Sequence, residues 1–248
     1  DTTNENAADD IIGHRLTLLR YEGGTVNRLL KVYDDALAEV VKELESARKK
    51  LAAGKEVDDR QRKRLEALSR DLRASVRELN RIATLTLSDR LAEAAAAEQA
   101  FLSGTLSRTI GFALRGIPAE RVALMLTDPI GGSVWRDRLA VDLVATETGL
   151  QGALSQALAR GLSIPRAAAV IKGLGIAETY RGRLVSIART EMQRVANQVA
   201  METYAANTDV IKAVQWLATL DTRTCPICGA LHNTTYPIVG GRPQGLER

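Results

Sequence analysis

Aromatic side chains are scarce in this chain, at 4% of 248 residues. So are the residues that carry soft-metal and thiol chemistry: there are two cysteines and two histidines. Two cysteines cannot build the disulfide framework that holds small secreted domains together, so a disulfide-rich fold is excluded. No apolar run approaches the roughly 20 residues a membrane-spanning helix needs. No signal-peptide pattern stands at the start. The chain does not begin with Met, and from Gly240 it runs on to Arg248 with no structural close, so it reads as a piece of a longer protein.

What is present is helix-forming material. At 45% hydrophobic and 26% charged, with Ala, Leu, Arg and Glu dominant, the composition is that of an ordered domain rather than a disordered chain. The formal net charge is +4, a basic bias too small to establish a nucleic-acid partner.

Residues 1–24 read as a polar N-terminal arm closed by Gly23-Gly24. Beyond it Leu30, Tyr33, Leu37, Val40, Leu44, Ala47 and Leu51 recur at steps of three and four, the period of one helix stripe. Ala53-Gly54 breaks this helix and Asp58 caps the next, whose stripe is Leu65, Leu68, Leu72, Val76, Leu79 and Ile82. So short a connection predicts an antiparallel helical hairpin. Residues 42–90 hold fourteen Lys/Arg against nine Asp/Glu, a net +5. The densest run is Arg60, Arg62, Lys63 and Arg64. This is either a solvated face laced with ion pairs or a contact for DNA phosphates or an acidic protein.

The helical pattern continues toward Leu114, where Gly116-Ile117-Pro118 interrupts it with Pro118 suited to a first helical position. Asp128-Pro129-Ile130-Gly131-Gly132 is a turn and marks a boundary. The hairpin and helical scaffold thus occupy residues 25–127, and a second module occupies 133–248. Within that module helices are expected from about Val134 to Ala159, from Ser163 as N-cap to Lys172, and from Ala177 to Ala206. The Gly173-x-Gly175 break is no nucleotide loop, since no strand precedes it. Val210 to Leu220 alternates as a strand, with Trp216 as its packing anchor, and Tyr236 to Val239 returns. The expected fold is mainly α, with a long antiparallel helical hairpin before a small C-terminal α+β module.

Both cysteines lie in one short segment, Cys225-Pro226-Ile227-Cys228, with His232 four residues on. Two thiolates on a tight loop with a nearby His suit zinc, but a structural site takes four ligands and no fourth follows. His14 is the remote candidate. Three other readings stand beside this one. The thiols could simply pack the loop. A redox pair would need the motif at a helix start after a strand, whereas Gly229 gives the flanks a turn character. A hydrolase with Cys225, Cys228 and His232 as its site lacks an orienting carboxylate other than Asp221. Arg189 and Glu191 stand two apart on a helix and so face different sides. Each is free to make its own contact, Arg189 with Asp221 for example.

Gly161-Leu162-Ser163, Ala188-Arg189-Thr190-Glu191 and the pattern from Trp216 through Asp221-Thr222-Arg223-Thr224-Cys225 to Cys228 resemble the phage head-morphogenesis family typified by the F protein of phage Mu. The resemblance covers about residues 145–240. It implies a minor capsid protein, present in few copies inside the head near the portal vertex and in the host cytoplasm during assembly. Its implied partners are the portal protein, the major capsid protein or both, and packaged double-stranded DNA, with no membrane and no small-molecule substrate. It implies structural roles for Arg189, Glu191, Trp216 and Asp221 and no catalytic residue. Family members usually continue to a segment resembling His-Pro-x-Cys-Arg-Cys, and nothing like it follows Arg242-Pro243. Such a segment would supply the missing zinc ligands. The rival expectations are a zinc- or thiol-dependent hydrolase and a basic helical DNA-binding adaptor.

Overall fold

The computed structural model describes residues 2–51, 59–159, 175–218 and 224–245, with some side chains in the helices outside the description. The expected Asp58 cap, the Ser163 helix start and the Asp221 turn lie outside the described residues. Helix α1 spans Thr2–Leu51, α2 Asp59–Ala100, α3 Ser107–Ile110, α4 Ala119–Met125, α5 Trp135–Ala159, α6 Ile176–Ala206 and α7 Pro226–Ala230. A π-helical turn, Phe101–Leu106, joins α2 to α3. Strands β1 (Ala213–Gln215), β2 (Thr235–Val239) and β3 (Arg242–Pro243) form an antiparallel sheet in that order. The chain is mainly helical with a small C-terminal sheet, as its composition and periodicity predict. No helix among the described residues is long and apolar enough to cross a membrane.

The chain folds into two compact units, neither continuous in sequence. The first comprises residues 1–18, 92–126 and 193–248, the second residues 19–91 and 127–192.

In the second unit, four helical segments pack through regularly spaced apolar positions. Val76, Leu79, Ala83, Leu87 and Leu91 of α2 are buried at steps of three and four, one stripe of an α-helix. They share the core with Val26 and Leu29 of α1, Trp135 and Leu139 of α5, and Tyr180, Leu184, Ala188 and Met192 of α6. Polar contacts give the directions. Arg77 pairs with Glu147 at 2.7 Å and Ser88 accepts from Arg136 at 3.0 Å, so α2 and α5 run antiparallel. Arg138 meets Glu191 and Asp142 meets Arg183, so α5 and α6 are antiparallel too. The Arg90 guanidinium lies 5.2 Å from the centre of the Tyr21 ring and donates to its hydroxyl, joining α2 to α1. Ile130 and Ser133 exchange backbone hydrogen bonds around Gly131-Gly132, the turn expected before α5.

Helix α1 differs from the sequence expectation at its start. It begins at Thr2 and passes through Gly23-Gly24, where an arm was expected to end. Each helical glycine costs about 1 kcal/mol against alanine. Leu18, Val26 and Leu29, buried on either side of the pair, offset that cost. The stripe from Tyr33 to Leu51 falls on side chains outside the description.

In the first unit, Ala94, Ala95, Leu102, Leu106, Met125, Val195, Val199 and Ala200 are buried together with Leu18 and Tyr236. Asn207, 1% exposed just after α6, clamps this unit. Its Oδ1 accepts the Arg115 backbone N–H at 2.8 Å, and its Nδ2 donates to the carbonyls of Arg115 at 3.0 Å and Thr203 at 2.7 Å. Pro118 is the N-cap of α4 rather than its first residue. Gly240-Gly241, with φ of 59° and 76°, makes the two-residue loop between β2 and β3, a conformation that favours glycine at both positions. Arg242-Pro243 therefore pairs back onto the sheet, where no structural close was expected.

Candidate functional site

The Cys segment sits between β1 and β2 in the first unit. Pro226 stands at the first helical position of α7, and Cys225 is its N-cap. A proline there loses nothing, since that N–H has no helical partner, and its fixed φ suits the helix start. The segment expected to be a plain turn is thus a five-residue helix. The Cys225 Sγ accepts the Cys228 backbone N–H at 3.2 Å. Cys225 is exposed and Cys228 half-buried, and both are free thiols. Hydrogen bonds from the backbone N–H and the thiol of Cys228 hold the Cys225 thiol below its ordinary range. The reciprocal hydrogen bond to Cys225, with some burial, pushes the Cys228 thiol up.

His232 is not aimed at these thiols by any described hydrogen bond. Its Nδ1 accepts the backbone N–H of Ala218 at 3.1 Å, which ties the end of α7 to the chain leaving β1. Pairing beyond β1 continues at Trp216, whose N–H donates to Thr234 and whose carbonyl accepts from Asn233, both at 2.8 Å. Among the described residues of the expected Val210–Leu220 strand, Ala213–Gln215 is β, paired with Thr235–Pro237 of β2. Trp216 is half-buried, and its buried indole N–H has no hydrogen-bond partner among the described residues. Among the described residues no group of three or more His, Cys, Asp and Glu side chains converges to hold a metal ion. A structural zinc site takes four ligands, and the Cys segment brings two thiols together. His14, the remote ligand candidate, is otherwise engaged: its Nε2 lies 2.9 Å from Glu98 Oε2 and its ring stacks on Phe101 with centroids 4.0 Å apart.

Arg189 and Glu191 belong to the second unit and diverge there as their spacing predicts. Glu191 has no exposed surface and receives Arg138 of α5. The Arg189 side chain is 60% exposed and its Nε lies 3.5 Å from Glu22 of α1. Asp221, the partner expected for Arg189, lies outside the described residues. Arg138 and Glu22 were not foreseen. A partner far away in sequence leaves no periodic trace.

In the basic stretch, Lys63 is exposed, while the side chains of Arg60, Arg62 and Arg64 lie outside the description. Further along α2 an open groove of about 670 Å³ is lined by Arg70, Arg73, Ala74, Arg77, Glu78 and Arg81. The spacing of three and four puts these four guanidinium groups on one face. Arg77 and Arg81 also bond Glu147 and Glu78, and each carboxylate raises its partner's affinity for the proton. The sequence signal was available, since the same period that marks apolar stripes marks this arginine row.

Residues 148–240 match the family model described as Phage Mu protein F like protein, which shows the expected resemblance over that segment. No curated protein and no solved structure matches the chain.

Proposed function

From the Phage Mu protein F like segment at residues 148–240, we propose that this chain is a minor head protein of a phage, acting in head morphogenesis. The family match carries this reading. The chain docks by its helices on the portal protein, the major capsid protein or both, inside the head. The Arg70–Arg81 row, with an excess of positive charge, supports a face turned toward packaged double-stranded DNA. Glu191, buried against Arg138, supports a structural rather than catalytic role for the Ala-Arg-Thr-Glu helix. No residue is assigned a catalytic role.

The test is quantitative mass spectrometry of purified particles and precursor heads from a phage encoding this chain. The chain should be present in both, at a small fraction of the major capsid protein, and should crosslink to portal or capsid protein. Its absence from both kinds of particle would overturn the proposal. Cys225→Ser and His232→Ala separate it from a thiol or zinc hydrolase. A hydrolase would lose turnover, whereas a head protein would change only in stability or incorporation.

A further inference from the structure

We propose that Cys225 and Cys228 are a redox-active dithiol that closes reversibly to an intramolecular disulfide by exchange with a small disulfide such as oxidised glutathione. The inference is independent of the head-protein reading, and either can fail without the other. It rests on the placement of the two sulfurs. They lie three residues apart across the first turn of α7, where the Cys228 backbone N–H donates to Cys225 Sγ at 3.2 Å. Pro226 between them fixes the turn. Access is asymmetric: Cys225 is exposed, Cys228 is half-buried, and the intervening Ile227 is 73% exposed, so an incoming disulfide reaches Cys225 first.

The chemistry follows from that asymmetry. The Cys228 N–H, 3.2 Å from Cys225 Sγ, favours a thiolate on Cys225, the form that attacks. The Cys225 thiolate forms a bond to one sulfur of glutathione disulfide, and the other glutathione leaves as a thiolate that takes up a proton from solvent. Cys228 then gives up its thiol proton and attacks the Cys225 sulfur, displacing the second glutathione thiolate. Two protein thiols are oxidised and one disulfide is reduced to two thiols, so the exchange balances without a further oxidant. The competing use of both thiols as metal ligands finds no third donor among the described residues. The Nδ1 of His232 is taken by Ala218.

The experiment uses the full chain, freed of metal with a chelator, in buffers of graded reduced-to-oxidised glutathione ratio. Intact mass and thiol titration are read together. Both thiols should disappear in one transition, with a mass change of two hydrogens and no bound glutathione, and return on reduction. Cys228→Ser should accumulate a single glutathione on Cys225. Cys225→Ser should acquire glutathione on Cys228 at least about tenfold more slowly, since exchange follows thiolate fraction and access. In denaturant that difference should vanish. Thiols that stay free at every ratio, or equal rates in the two variants of the folded chain, would overturn the proposal. So would thiols in chain never exposed to chelator that react only after a chelator is added, since that is the behaviour of a metal site.

Discussion

Glu191→Ala puts the buried ion pair of the Ala-Arg-Thr-Glu helix to the test. The carboxylate has no exposed surface and meets the Arg138 guanidinium, whose side chain is 27% exposed. Removing one partner of a buried pair leaves the other charge unpaired in a poorly solvated place, which costs about 3–5 kcal/mol. Arg138 is partly exposed and can turn its head toward water, so the lower end, about 3 kcal/mol, is expected. With a urea m-value of roughly 1–3 kcal/mol/M, that lowers the unfolding midpoint by about 1–3 M. Far-UV circular dichroism in urea reads the loss of helix directly.

Glu78→Ala is the matched control. Glu78 bonds Arg81 at 2.6 Å on the same unit, but both side chains are more than half exposed, at 53% and 60%. A pair of that kind, held in open solvent, contributes little to stability, so its loss should leave the midpoint close to that of the parent chain. Replacing both Glu191 and Arg138 by leucine or methionine should recover most of the loss, because no charge is then left buried. Equal losses for Glu191→Ala and Glu78→Ala would refute the reasoning. So would a double replacement no more stable than Glu191→Ala alone.

Two further outcomes follow from the charges and phenols. If the Arg70, Arg73, Arg77 and Arg81 groove meets DNA phosphates, the full chain binds duplex DNA with affinity that falls steeply with salt. Arg70→Ala with Arg73→Ala should then reduce the log–log salt slope by about 1.8, at about 0.9 per phosphate contact, and an unchanged slope would remove these residues from the interface. Tyr180 is pushed up to about 12 by burial and then by Asp142, and Tyr204 to about 12 by burial and then by Glu98, against a partial opposing effect of Arg15. The fold thus holds both phenols protonated. Their contribution is fully present below the free phenol's value near 10 and is lost as pH rises through about 12, roughly 2–3 kcal/mol for each. Unfolding free energies that stay flat over that window would refute it, and Tyr180→Phe should soften the decline.

The helices were legible because burial imposes a period on the chain. Val76 and Leu79 were read as a buried stripe and are buried. The stripe then turns to Ala83, since successive steps of four carry it past Ile82. Gly23-Gly24 misled because glycine weakens a helix without ending one when apolar residues on both sides are buried. The strand was overextended because alternation can be read from one segment, whereas a ladder forms only where a second segment lies in register beside it. The Cys segment hid its helix behind Gly229. The counter-signal was Pro226 directly after a residue able to accept N–H bonds, the pattern of a helix start. The tertiary pairs Glu98 with His14, Asn207 with Arg115 and Glu191 with Arg138 were out of reach. They lie 84, 92 and 53 residues apart, and nothing in composition links them.

The divergence of Arg189 and Glu191 bears on what the matched segment is. Residues two apart on an α-helix point about 200° from each other, so one motif anchors α6 on two sides. Within the second unit those anchors are Arg138 on α5 and Glu22 on α1, and Tyr180 adds a third at Asn80 on α2. All three partners precede residue 148, where the family match begins. Cut at that point, α6 would lose Arg138 from its buried carboxylate and the α2 stripe from its apolar face. The unit that buries the motif is therefore larger than the segment by which the family is recognised. The parts of α1, α2 and α5 that lie in the second unit belong to the same core as the motif rather than to a separate appendage.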